Sequence, residues 1–277
     1  MQGAPRLLYL DPLGWMVSGV WVWGIPAILG AWVLGRQGPI GPALGILQAM
    51  IGFAAALLLR AIGATVYNIS LGWHGGIRVT YEDFCVTRIP VLGATKGLAA
   101  LAMPWGLGMS LVVNGFGWIA VIPHHWVWCT VGLPLVAWLY AMTSVWLYSH
   151  VVPWFSRSCH VSVTNHGHLT RVKGFVPTEM AWMSAVMFFI WMFGATSGGI
   201  LLFMGFLMIL AGKIPAGVFG LEIAVFSEFL MVSLAYLLAF GVGLWFYWGT
   251  KIYALWVARG GGITVRIGTG REQYAST

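Results

Sequence analysis

Charge is what this chain has least of. Asp, Glu, Lys and Arg make up only 8% of its 277 residues, apolar residues make up 60%, and the mean hydropathy is +0.86. Soluble domains carry about a quarter charged residues, so this sequence cannot cover a water-facing surface in the ordinary way and is expected in a lipid bilayer. Carboxylates are scarcer than cations, with 7 Asp and Glu against 14 Lys and Arg. Glu82 and Asp83 are the only adjacent acids and there is no Glu-x-x-His, which leaves little for a carboxylate-bridged metal pair. Cysteine is nearly absent: Cys85, Cys129 and Cys159 form no CxxC pair, and no disulfide is expected. A cleavable leader is also missing from the expectation. The apolar run that begins at Pro12 is long enough to span and has no basic segment with a small-residue cleavage site.

Long uncharged runs are present instead. Six of them, roughly 12–35, 40–59, 97–122, 126–149, 180–211 and 221–250, reach or approach the about 20 residues that cross a bilayer as a helix. Trp and Gly mark their ends and interiors. Trp126 and Trp154 stand where indoles favour the interface, and Gly106, Gly108, Gly115 and Gly117 would let helices approach closely. The expected fold is therefore an all-α polytopic membrane protein with about six transmembrane helices, read as a single integral membrane domain over 1–277. Cytoplasmic loops are expected at about 66–96 and 150–179, with a cytoplasmic tail at about 258–277.

The net charge of +7 does not point to nucleic acid, because the basic residues are scattered singly near the ends of runs. They set orientation. Arg6, Arg60, Arg78, Arg88, Lys96, Arg157, Arg171, Lys173, Lys251, Arg259, Arg266 and Arg271 fall on one side of the six runs, and Arg36 and Lys213 on the other. That twelve-to-two split places both termini and the longer loops in the cytoplasm of what is expected to be a bacterial inner membrane.

Three segments that follow the second, fourth and sixth runs alternate apolar with polar residues: GGIRVTY (75–81), CHVSVTN (159–165) and GGITVRI (261–267). Period-two alternation in β-branched residues is the signal of a half-buried strand. Ile77, Val79, Val161, Val163, Ile263 and Val265 are therefore candidate docking strands for partners, in a chain that would consist of three helical hairpins each ending in a strand.

SCHVSVTNHGHLT (158–170) crowds a cysteine and three histidines into thirteen residues, so Cys159, His160, His166 and His168 are the candidate metal ligands. A hairpin turning at His166 and Gly167 pairs Asn165 with His168 and Ser162 with Arg171. It leaves His160 about 17 Å from His168 at the rise of a strand, whereas zinc holds nitrogens about 2.1 Å from itself. One hairpin cannot bring all three to one ion, and exposed turn histidines are the simpler reading. Haem is no better served, because no histidine lies mid-run and the adjacent His124 and His125 point apart. An intramembrane serine protease built on Ser197 would need a histidine on a later helix, and none follows His168.

Glu222 and Glu228 remain, near the outer end of the sixth run. Facing lipid they would be costly, so they are candidates for an ion path or a contact between subunits. With no catalytic set in view, the expected function is a non-enzymatic inner-membrane subunit of a secretion, conjugation or respiratory assembly. Its partners would be the lipid bilayer and other protein subunits, with no cofactor predicted. The alternatives are a transporter or channel component using Glu222 and Glu228, and a membrane metalloenzyme using the His/Cys group.

Overall fold

The fold was analysed in a computed structural model, which describes residues 5–20, 42–82, 85–115, 125–151, 153, 161–166, 169–195 and 219–269. The chain leaves a β-sheet three times and returns to it three times. Strand β1 (Pro5–Leu10) leads into helix α1 (12–20), and α2 (Pro42–Ile69) and the short α3 (Leu71–His74) lead back to β2 (Ile77–Arg78) and β3 (Thr80–Glu82). Strand β4 (Cys85–Arg88) leads into α4 (Val91–Gly115), and α5 (His125–His150) returns to β5 (Val161–His166). Strand β6 (Leu169–Phe175) leads into α6 (Pro177–Ala195), and α7 (Phe219–Ala258) returns to β7 (Thr264–Thr269).

All pairings are antiparallel, in the order β2-β1-β7-β6-β5-β4-β3. The two strands at the ends of that order, β2 and β3, are separated along the chain by Val79 alone. Laid flat, seven strands would put them about 29 Å apart, whereas the two steps from Arg78 to Thr80 reach at most about 7 Å. The sheet therefore closes on itself, with 77–82 acting as one strand kinked at Val79. A six-stranded ring is narrower than the eight-stranded barrels whose interior side chains just fill, so its interior is packed rather than open. Leu10, Ile77, Val79, Val86, Val163, Val172, Ile263 and Val265 form that core together with Ala64, Tyr67, Ala94, Leu98 and Tyr253 from the helices.

Each return of the chain is fixed by a tyrosine near a helix end. The Tyr67 hydroxyl donates to the Leu7 carbonyl (2.6 Å) and accepts from the Ile77 amide (3.1 Å). Tyr253 repeats this, donating to Val172 (3.0 Å) and accepting from Ile263 (3.1 Å). Tyr148 donates to the Val86 carbonyl. The residue after the tyrosine continues the pattern three residues further along the strand. Asn68 accepts from the Leu10 amide (3.0 Å) and donates to its carbonyl (2.8 Å), and Ser149 does the same to Ile89 (3.1 and 2.8 Å). At the third corner Ala254 has no group to offer, and the Phe175 ring instead lies 5.7 Å from that of Tyr253. Gly76 (φ +79°) and Gly262 (φ +120°) immediately precede the two clamped isoleucines, in a backbone conformation that glycine adopts without penalty.

The chain divides into two compact units, residues 1–179 with 249–277, and 180–248. In the first, α4 packs against α2 and α5. Gly106 lies against Pro134 of α5 and Gly108 against Leu59 of α2, as close helix packing requires, while Gly115 faces open space. In the second, Phe189 of α6 and Tyr236 of α7 bring their rings to 4.7 Å.

Several expectations are corrected. The all-α architecture with about six spans is overturned. The alternating segments belong to a closed sheet with partner strands ahead of each helix. Among the described residues two helices are long and apolar enough to cross a membrane, Ile46–Ile69 and Cys129–His150. An uncharged run passes a length test whether lipid or protein covers it, and the remainders of the runs 12–35 and 180–211 lie outside the described residues. Within the described residues the runs 12–35 and 180–211 are helical over 12–20 and as far as Ala195. Arg60, taken as a loop residue, lies inside α2, nine residues before its end. The β5–β6 hairpin pairs His166 with Leu169 and Thr164 with Arg171, in place of the expected pairing of Asn165 with His168 and Ser162 with Arg171; Gly167 and His168 lie outside the described residues. Cys85 is disulfide-bonded, against the expectation of free thiols, while Cys129 is free and buried.

The tyrosine clamps give a measurable expectation. Tyr67→Phe leaves the Ile77 amide and the Leu7 carbonyl unmatched in a buried place, at a cost of about 1–3 kcal/mol. Thermal unfolding should show that loss, with a similar one for Tyr253→Phe, while exposed Tyr236→Phe should leave the midpoint unchanged. Equal midpoints for all three variants would refute the clamp.

Candidate functional site

The candidate residues fall into three groups. Of the His/Cys segment, Cys159, His160 and His168 lie outside the described residues. His166 is the last residue of β5, paired through its backbone with Leu169. Among the described residues no group of three His, Cys, Asp or Glu side chains is placed to hold a metal. Glu222 and Glu228 both fall within α7, and their side chains are outside the described set.

The candidate docking strands are brought together. Ile77, Val79, Val163, Ile263 and Val265 are buried in one core, and Val161 pairs with Val86 across β4 and β5. The apolar side chains of those five are thus covered from within the chain. Six basic residues also lie on these strands. Arg266 pairs with Tyr9, Arg171 with Thr264, and Arg6 stands directly opposite Arg78. Arg78, Arg88 and Lys173 are exposed.

Three polar placements were not foreseen from sequence. Arg60 sits inside the apolar helix α2 and is held by α1: its guanidinium lies 4.3 Å over the Trp15 ring, Nε donates to the Trp15 carbonyl (3.2 Å) and Nη2 to Ser18 Oγ (3.3 Å). A guanidinium set in an apolar helix must be satisfied locally, and the indole face, carbonyl and hydroxyl do so. Glu179 is buried in the first turn of α6, where the helix dipole favours a carboxylate. The signal for both was a lone charge within or beside an apolar run.

His74 is the third. Its Nδ1 accepts from the Gly76 amide (3.0 Å), so the proton is on Nε2, which donates to the Tyr67 carbonyl (2.9 Å). Burial pushes its pKa below the ordinary histidine value, against the smaller raising effect of the Tyr67 carbonyl. His150 likewise contacts backbone, the Trp146 carbonyl at 3.1 Å. The contacts of both imidazoles among the described residues are to backbone groups and to the rings of Tyr67 and Trp146. These histidines serve the backbone at helix ends.

No family model, no curated protein and no solved structure matches this chain. Its chemistry is carried by the residues described above.

Two measurements test these placements. The neutral form of His74 is favoured in the folded chain, so its contribution is complete above the unfolded pKa of about 6.5 and declines as pH falls below it. The wild-type unfolding midpoint should drop between pH 7.5 and 5 by more than that of His74→Gln, and parallel curves would contradict the assignment. Val163 is 3% exposed, so Val163→Lys puts a charge into the sheet core. It should lower folded yield severely, while joint replacement of His160, His166 and His168 by Ala should change it little. The reverse ranking would return a ligand role to the histidines.

Proposed function

We propose that this chain is a non-enzymatic integral membrane subunit of a larger assembly, of the secretion, conjugation or respiratory kind, in a bacterial inner membrane. Helices α2 and α5 anchor it, and the closed sheet is the platform on which partner subunits dock. The observation that carries the reading is where the apolar surface lies. Of the two candidate spans only 18% and 11% of the apolar window is buried, so neither is the core helix of a soluble domain. Leu47, Ile51, Leu58, Ile62 and Ile69 expose one stripe of α2, and Val127, Val131, Leu135, Leu139 and Trp146 one side of α5. Such stripes suit hydrocarbon and would aggregate in water.

Both spans deliver their C-terminal ends to the sheet, which is consistent with the whole sheet lying on one side of the bilayer. The basic residues of the sheet favour the cytoplasmic side. The bonded Cys85 favours an oxidising compartment. We take the charge distribution as decisive, because it involves many residues and acts during insertion.

Carbonate-washed membranes should retain the chain. Reporter fusions at Gly38 and Pro123 should read the outer side, and fusions at Glu82 and Asn165 the cytoplasm. Native-gel mass in mild detergent should exceed that of the 30.2 kDa chain in its micelle. An outward Asn165 would reverse the sidedness, and a monodisperse monomer would sink the assembly reading.

A further inference from the structure

Where α2 ends, the chain turns through α3 and lays β2 across the first turns of α4. Gly93 and Gly97 make room for it: a Cβ on Gly93 would stand 3.3 Å from Arg78 Cδ, and one on Gly97 would stand 2.5 Å from Ile77 Cγ1. Lys96, three residues after Gly93 and so its neighbour on the helix surface, extends its ammonium to 5.7 Å from the centre of the Trp73 ring. Arg78 and Lys96 are both exposed, and the stem of Arg78, which comes from β2, lies against Gly93, three residues before Lys96 on α4. Neither of the two carboxylates with described side chains is nearby in role: Asp11 caps α1 through the Leu13 and Gly14 amides, and Glu179 is buried at the start of α6. Three large apolar side chains of these elements are bare: Trp73 (63%), which faces Lys96, Leu92 (91%), which precedes Gly93 on α4, and Ile69 (80%), which ends α2.

We propose that this corner binds the headgroup phosphate of an anionic phospholipid, with Arg78 and Lys96 as the cationic pair, Trp73 as the interfacial ring, and Ile69 and Leu92 against the acyl chains. The proposal rests on the membrane-embedded reading. Ile69 is the last residue of the candidate span Ile46–Ile69, so the residues that follow it emerge at the depth where lipid phosphates lie. An indole belongs at that depth, and basic side chains there attract anionic lipid. An acidic protein would satisfy the two cations but would leave no reason for Ile69 and Leu92 to be bare beside them. A lipid satisfies both at once.

The test uses the full chain purified in a non-ionic detergent, with dioctanoyl-phosphatidylglycerol, dioctanoyl-phosphatidylcholine and inorganic phosphate as separate probes and the thermal midpoint as readout. Phosphatidylglycerol should raise the midpoint at concentrations at least about tenfold below those needed for phosphatidylcholine, and inorganic phosphate should do little. Each basic residue near an anionic headgroup is worth about a fivefold preference, so Arg78→Gln with Lys96→Gln should weaken the phosphatidylglycerol response about thirtyfold. Lys173→Gln with Arg266→Gln removes the same charge from other strands and should leave the response intact. Lys96→Gln alone, at an exposed side chain, covers the case in which the double variant folds poorly, and should cost about fivefold. Equal responses to the two lipids, a full response to inorganic phosphate, or equal loss in the control pair would overturn the site. Recovery of the wild-type chain in the carbonate supernatant would instead overturn the membrane reading, while indifference to phosphatidylglycerol in a chain that stays in washed membranes overturns this site alone.

Discussion

Closing a small sheet against a helix bundle leaves backbone amides and carbonyls at the strand ends facing apolar helices, and each must be matched there because water cannot reach it. The rest of the fold depends on how that is done. A tyrosine near the end of a helix has the length to reach the sheet and a tip that donates and accepts together. Tyr67 and Tyr253 use both capacities, each tying the strand that follows its helix to the strand beside it. A phenylalanine would fill the same space and match neither group. Asn68 and Ser149 extend the match by one more residue of strand, acting in effect as short substitutes for a further ladder partner.

The three corners obey one register. The tyrosine bonds the carbonyl of Leu7, Val86 or Val172, the residue three further on is Leu10, Ile89 or Phe175, and a helix begins two residues later still. The corner at Ala254 departs from it. There the polar contact is replaced by packing of Phe175 on Tyr253, and of Tyr253 on Trp256 at 5.6 Å. Burial of aromatic area does at one corner what paired hydrogen bonds do at the others, which is a substitution of one source of free energy for another of similar size.

Part of this was legible in the sequence. Alternation in GGIRVTY, CHVSVTN and GGITVRI marks β2, β5 and β7, because a strand with one buried face writes its period directly into the chain. Their partners were not legible. PRLLYL at β1 has no clean alternation, since the ladder shifts register between Leu7 and Tyr9, and CVTR at β4 is too short to show a period. The tyrosines went unremarked, for nothing local distinguishes a hydroxyl that bonds a strand 60 to 81 residues away. The helices were over-read for the opposite reason. Apolar runs announce burial in something, but do not say whether lipid, a neighbouring helix or the end of a sheet covers them. Of the candidate site residues, the valines and isoleucines of the strands were placed together by their pattern. Arg60 was misassigned because a charge ending an uncharged run looks like a helix end, when α1 in fact supplies its partners from forty-two to forty-five residues away.

Three joins of the ring, β2–β1, β4–β5 and β6–β7, are short, with two residue pairs each. Strand β1 meets β7 near the far end of the chain, so the ring can close only after the last strand has formed, and the join between β2 and β1 comprises two residue pairs. One of those pairs sets Arg6 opposite Arg78, and like charges directly across an antiparallel pair are unfavourable. Arg6 relieves the conflict by turning Nη1 to the Gly75 carbonyl at 2.7 Å, inside the left-handed turn that precedes β2. The stem of Arg78 lies over Gly93 in the first turn of α4. The strand that completes the ring thus places an exposed arginine against the first turn of α4, shortly after the end of α2.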